Sequence, residues 1–157
     1  MTPGVDAAKR AGIDFRLHEY DGVDVHEGDY AVAVARALAR PPGQLFKTLV
    51  VSVDGALAVF VVPADRQLDL RAAGKRAVLA EKAEAERATG YVVGGISPLG
   101  QRKRLPATVD ESMLEWETVL VSAGRRGLQI ELAPADLIRL LEARVAALTS
   151  PTRSSQR

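Results

Sequence analysis

An α+β fold is what the sequence predicts: a single domain with a mixed, mainly antiparallel sheet and peripheral helices. Three observations carry this. Runs of strand length with apolar alternation or continuous apolar character recur in "IDFRLHEY", "FKTLVVSV", "ALAVFVV", "TVLVSA" and "LQIEL". Two pairs of these runs flank turn signals, Asp54-Gly55 and Gly124-Arg125-Arg126-Gly127, and so should close as hairpins. Helical patterns lie between and outside the hairpins, with no internal repeat and no linker to divide the chain.

In chain order, Thr2 caps a first helix with Pro3 at its first position. Val5, Ala8 and Ala11 share one side, and Gly12 stops it. The strand "IDFRLHEY" sets Ile13, Phe15 and Leu17 against a wet face carrying Arg16, His18 and Tyr20. Residues 21–29, "DGVDVHEGD", are an acidic loop containing an exposed His26. "YAVAVARALAR" is an Ala-rich helix that Pro41-Pro42-Gly43 terminates.

The central hairpin ends at Pro63, and "QLDLRAAGKRAVLAEKAEAERATG" reads as two short helices broken at Gly74. Tyr91-Val92-Val93 form a short apolar strand before Gly94-Gly95. Thr108 or Asp110 caps a helix over "ESML", and Pro134 opens a last amphipathic helix through "ADLIRLLEARVAAL". The domain is expected over residues 1–148, with 149–157 a polar, disordered tail.

Composition narrows the function. Net charge is +1, from 21 basic and 20 acidic residues, which excludes an indiscriminate, strongly basic nucleic-acid binder but leaves room for local patches. With no cysteine, disulfides, zinc-thiolate sites and a thiol nucleophile of the protein are excluded. Two histidines make a multi-histidine metal site improbable. With no long apolar span and no signal-peptide core at "MTPGVDAAKRAG", the chain is expected in the cytoplasm, away from membranes.

Four features have chemical potential, each beside a plainer alternative. Lys47 lies at the mouth of a strand that reads as buried, so it either reaches solvent along its stem or meets an anion. Thr48 beside it points to the other strand face, although its amide can still line a site. Gly94-Gly95 is either a tight turn or a backbone nest for an anion; it is neither a GxGxxG fingerprint nor a P-loop. Arg102-Lys103-Arg104 and Arg125-Arg126 are either solvated charge or a phosphate-binding rim. A Ser-His-Asp triad assembled from Ser97 or Ser122 with His18 lacks any GxSxG elbow. Spacing alone supports a cleft with a lysine, a glycine-rich backbone and flanking cations, and names no ligand.

The ordered set "AGIDFRLHEY", "FKTLVV", "QLDL", "ERATGYVVGGISPLGQRKRLP", "DES" and "VSAGRRGLQIELAPADL" closely resembles the YbaK/EbsC family of aminoacyl-tRNA deacylases, over about residues 2–142. The resemblance implies the editing-domain fold related to the domain inserted in prolyl-tRNA synthetases. It also implies trans-editing hydrolysis of mischarged tRNA, with Cys-tRNA(Pro) foremost. A synthetic pocket shaped for proline cannot strongly reject an amino acid of similar size, so a second sieve is useful.

Carried over by motif, Lys47 is implied to contact the terminal nucleotide and position the ester, and the amides of Gly94 and Gly95 to face the scissile carbonyl. Tyr20, Tyr30, Thr48, Ile96, Ser97, Ser122 and Gln129 are implied to line the pocket, and Arg102, Lys103, Arg104, Arg125 and Arg126 to hold the tRNA backbone. Catalysis is expected to be substrate-assisted, without metal or organic cofactor, and a prolyl-tRNA synthetase is a plausible partner. The alternatives are an enzyme for Ala-tRNA(Pro) or another misacylated tRNA, and a non-catalytic module that binds tRNA ends or a synthetase. Three departures stand out: the "DGVDVHEGD" loop, the composition of "RAAGKRAVLAEKAEAE", and Gln129 where relatives often carry Asp or Glu.

Overall fold

The computed structural model describes residues 1–24 and 29–150. His26, the middle of the acidic loop and residues 151–157 of the tail lie outside the described residues. The chain runs through helix α1 (Pro3–Ala11), strand β1 (Phe15–Glu19), helix α2 (Tyr30–Ala37) and the hairpin β2 (Phe46–Val53) and β3 (Ala56–Pro63). Then come α3 (Leu70–Ala73), β4 (Val78–Leu79), α4 (Lys82–Thr89), β5 (Ala107–Asp110) and a 3-10 helix over Glu111–Glu115. The hairpin β6 (Val119–Arg125) and β7 (Leu128–Leu132), α5 (Pro134–Leu141) and β8 (Arg144–Ala146) complete it.

The strands form two sheets. One is antiparallel, in the order β1-β7-β6; the other is mixed, in the order β4-β2-β3-β5-β8, with β5 parallel to both β3 and β8. A parallel bridge between Leu45 and Leu120 joins them at the start of β2. The main core lies between the sheets, where Phe46, Val59, Val61 and Val109 meet Val119, Val121, Ile130 and Leu132, closed at one end by Val5 and Ala8 of α1. A second apolar cluster seats Val34 and Ala35 of α2 on Leu45, Ala64 and Leu120, which fixes α2 over the outer face of the three-stranded sheet. Among the described residues no helix is long and apolar enough to cross a membrane.

The predicted caps and hairpins form where local chemistry dictates them. The Thr2 hydroxyl accepts from the Val5 amide at 3.1 Å, and Gly12 ends α1 in the left-handed conformation. Asp54 and Gly55 both have positive φ, 51° and 88°, as a two-residue hairpin of matching twist requires. Asp110 caps its helix, but that helix is a single 3-10 segment and Ala107–Asp110 before it is a strand.

Several expectations are corrected. Tyr91–Val93 is not a strand: Tyr91 is buried, Val92 and Val93 are exposed, and a turn closes with the Gly95 amide donating to the Val92 carbonyl at 2.8 Å. Helix α2 ends at Ala37, before the prolines, where Ala39 takes a positive φ of 57°. The last helix stops at Leu141, because Glu142 turns left-handed and sends Arg144–Ala146 into the sheet as β8. Thr149 still pairs with Leu68, so the fold passes the expected boundary at 148.

Candidate active site

A cavity of about 420 Å³ opens where α2, the first half of β2, the loop after α4 and the β6-β7 hairpin converge. Strand β4 pairs with β2 only at Val51 and Ser52, so residues 46–49 of β2 keep an edge clear of β4. That edge explains why Lys47 and Thr48 both border the cavity despite pointing to opposite faces. Lys47 Nζ makes one long contact, 3.5 Å to the Ala64 carbonyl, and pairs with no carboxylate among the described residues. Its stem is half-buried while its ammonium stays available to an anion.

The turn of Gly94 borders the same cavity. Its φ is 96°, which favours glycine, and a Cβ there would lie 2.5 Å from Arg126 Nε, so any side chain would displace that guanidinium. The Arg126 guanidinium lies over this turn and donates to the Val93 carbonyl at 2.7 Å. The amides of Gly94 and Ile96 donate to no group among the described residues. Gly95 differs. Its amide is committed to Val92, it does not line the cavity, and its lack of Cβ serves a close approach to the Arg125 backbone, 2.8 Å from a built Cβ. Of the two glycines expected at the site, only Gly94 borders the cavity, together with Ile96.

The floor is polar. In register across the three-stranded sheet lie His18, Gln129 and Ser122. Gln129 is 5% exposed, and its Oε1, like Thr48 Oγ1, is buried with no hydrogen-bond partner. Buried acceptors without partners are costly unless a ligand supplies donors. Ser122 Oγ accepts from the Gly124 amide at 3.2 Å. Tyr30 lines the cavity, with Tyr20 behind it at 3.1 Å between hydroxyls. Burial, and after it the bond with Tyr20, pushes the Tyr30 hydroxyl above the ordinary phenol range, so it stays a neutral donor.

His18 is not on a wet face. Its Nε2 meets Glu131 Oε1 at 2.7 Å, and Glu131 also takes both guanidinium nitrogens of Arg40 at 3.1 Å and the Thr118 hydroxyl. This half-buried network beside Gln129 was not anticipated. Its signal was the alternation of Gln129 and Glu131 along β7, which puts two polar side chains on the face beneath α2. Lys82, which also lines the cavity, sits in a uniformly charged helix start and gave no signal.

The remaining expected residues divide. Ser97 is fully buried away from the cavity, where its Oγ accepts from the Leu99 amide at 3.1 Å and steadies the loop. Arg125 borders an adjacent hollow and reaches Glu19 at 3.6 Å. Arg102 and Lys103 are exposed beside the C-terminal end of α4, where their amides donate to the Thr89 and Ala88 carbonyls. Arg104 pairs with Glu142 at 2.9 Å and borders a different depression with Arg10. The basic residues thus do not form one rim; Arg126 alone of them reaches the cavity.

Comparison with known proteins places the chain in a family. The model of the aminoacyl-tRNA editing domain matches residues 26–140. EbsC of Enterococcus faecalis, named as a Cys-tRNA(Pro)/Cys-tRNA(Cys) deacylase, is 36% identical over 126 residues, covering 76% of this chain and 77% of its own. A protein of Escherichia coli K12 named multifunctional Ser/Thr-tRNA deacylase ProXp-y is 31% identical over 141 residues, 83% of this chain and 81% of its own. A solved structure described as a trans-editing enzyme for prolyl tRNA synthetase superposes with a TM-score of 0.82 at 26% identity, covering 96% of this chain and 99% of that one.

Proposed function

The chain belongs to the aminoacyl-tRNA editing domain family, and from that premise we propose that it hydrolyses the aminoacyl ester of mischarged tRNA in trans, with Cys-tRNA(Pro) as its leading substrate. The observation that carries the reading is that one cavity is lined by Lys47, whose ammonium meets no carboxylate, and by Gly94 and Ile96, whose amides donate to no group among the described residues. An ester carbonyl held between them would find charge and dipoles already aimed at the oxygen on which negative charge develops. Among the described residues no side chain stands as an activated nucleophile in the cavity, which favours attack from within the substrate.

In a cysteinyl ester the substrate's own sulfur bonds to its carbonyl carbon, the bond to the ribose oxygen breaks, and the thiol proton leaves on the departing hydroxyl. Water opens the resulting thiolactone afterwards. The protein contributes position and electrostatics. Gln129 Oε1 and Thr48 Oγ1 would accept from the donors of the acyl group, its ammonium or its side chain.

Those two acceptors also favour a second reading, hydroxyl-bearing seryl and threonyl esters, in keeping with the name of the Escherichia coli relative. Deacylation of tRNA(Pro) charged in turn with Cys, Ser, Thr and Ala separates the readings. Turnover of the cysteinyl ester alone, or fastest, supports the first. Turnover of Ser and Thr esters without Cys replaces it with the second, and no turnover of any ester leaves a binding module.

A further inference from the structure

Back to back with the Lys47 cavity lies a second hollow of about 320 Å³. The loop Val92–Gly95 is the partition: Val93 and Gly94 border the cavity, Val92 and Gly95 the hollow. Arg126 borders both, lying across Gly94 on the ridge between them. Three of its lining residues are glycines, Gly90, Gly95 and Gly124. A Cβ on Gly95 would come within 2.8 Å of the Arg125 Cα, and one on Gly124 within 2.8 Å of Tyr91 Cε1. Arg102 lies beside the third glycine, with its Nε 3.5 Å from a Cβ built on Gly90.

Arg125 and Arg126 border this hollow, and Arg102 lies beside Gly90 at its rim. Arg102 and Arg126 pair with no carboxylate among the described residues, and Arg125 reaches Glu19 only at 3.6 Å. The nearby Glu86 carboxylate accepts from the Val93 amide at 2.7 Å. Val92, 60% exposed, supplies an apolar face among these cations. A small apolar face beside arginines suits a base joined to a phosphate. It is too limited for a stable protein interface, which buries on the order of 1,200 Å² or more.

We propose that this hollow is a second nucleotide subsite. It holds the nucleotide that precedes the aminoacylated terminal nucleoside of a single-stranded RNA end, with the base on Val92. The linking phosphate crosses the ridge at Arg126, and Arg102 and Arg125 flank the next phosphate. The assignment rests on the deacylase reading for the content of the first cavity.

Its test is binding, which needs no turnover. Amide-linked, non-hydrolysable cysteinyl-adenosine and cysteinyl-cytidylyl-adenosine are titrated calorimetrically into the full chain. The wild type is expected to bind the dinucleotide about tenfold tighter, the scale of one charge-assisted contact to the linking phosphate. Val92→Glu and Arg102→Ala should each reduce that gain about threefold or more, with mononucleotide affinity unchanged. Equal affinity for the two ligands, or variants that weaken both alike, overturn the subsite. So does a Val92→Glu protein that keeps the full dinucleotide gain while losing co-elution with a prolyl-tRNA synthetase, which would assign the hollow to a protein partner. Failure of the deacylase reading shows separately, as absent hydrolysis of ester substrates by the wild type.

Discussion

Lys47 holds its ammonium at the cavity with a single long backbone contact, so little competes with a substrate for it. Removing it takes away one of the three cations that line the cavity among the described residues, beside Lys82 and Arg126. Lys47→Ala is therefore expected to lower kcat/KM for deacylation by at least about tenfold, or 1.4 kcal/mol, with an unchanged circular-dichroism spectrum. Unaltered turnover would take Lys47 out of the mechanism. Glu131 has the opposite character, since its charge serves the fold. Arg40 first, then Thr118 and His18, hold its carboxyl well below the ordinary 4.5, at about 2, against the burial that pulls it up. A carboxylate with a depressed folded value adds stability that is complete above the unfolded value and is lost as pH falls through the folded one. Glu131→Gln should cost about 1–3 kcal/mol near neutrality. The gap between wild type and variant in urea unfolding should close as pH falls from 4.5 to about 2; a gap independent of pH would refute the charged role.

At the scale of elements, local chemistry and long-range pairing separate what the sequence could reveal. The Asp54-Gly55 hairpin and the α1 caps were legible because their causes lie within a few residues. The strands β4, β5 and β8 were not, because two, four and three residues have no period to read and exist through partners far along the chain. "YVV" failed for the converse reason: it has strand composition, but Tyr91 is drawn into the core and no strand lies beside Val92. Two glycines give a matched test. Gly55 has φ 88° with nothing within 4 Å of a built Cβ, whereas Gly94 has φ 96° and Arg126 Nε at 2.5 Å. Gly55→Ala should lower stability by about 1–2 kcal/mol and leave deacylation kinetics alone. Gly94→Ala should carry a similar backbone penalty and, by displacing Arg126 and the free amide, also reduce kcat/KM. Equal kinetic effects of the two would show that the Gly94 turn has no special place at the site.

For the whole molecule, the site joins Tyr30, Lys47, Thr48, Gly94, Ser122 and Gln129, which only the tertiary fold brings together. Spacing could never have assembled it; the ordered motifs did so by likeness, and they placed Ser97, Gly95 and Arg104 at a site from which their side chains or backbone are turned away. With a net charge of +1, the molecule has no global field to attract RNA. Affinity for a tRNA end must therefore come from few, local cations, and that has a measurable consequence. If Arg102, Arg125 and Arg126 are the groups that meet phosphates, about three counterions are released, and log K should fall against log salt with a slope of about −2 for single-stranded contacts. Arg102→Ala should flatten that slope by about 0.7. Arg104→Ala should leave it unchanged, because Arg104 is paired with Glu142 and borders another depression. Filter-binding of deacylated tRNA across a potassium chloride series reads both. A wild-type slope steeper than about −5 would require a broad duplex-contacting face, and equal flattening by the Arg104 variant would return that residue to the interface.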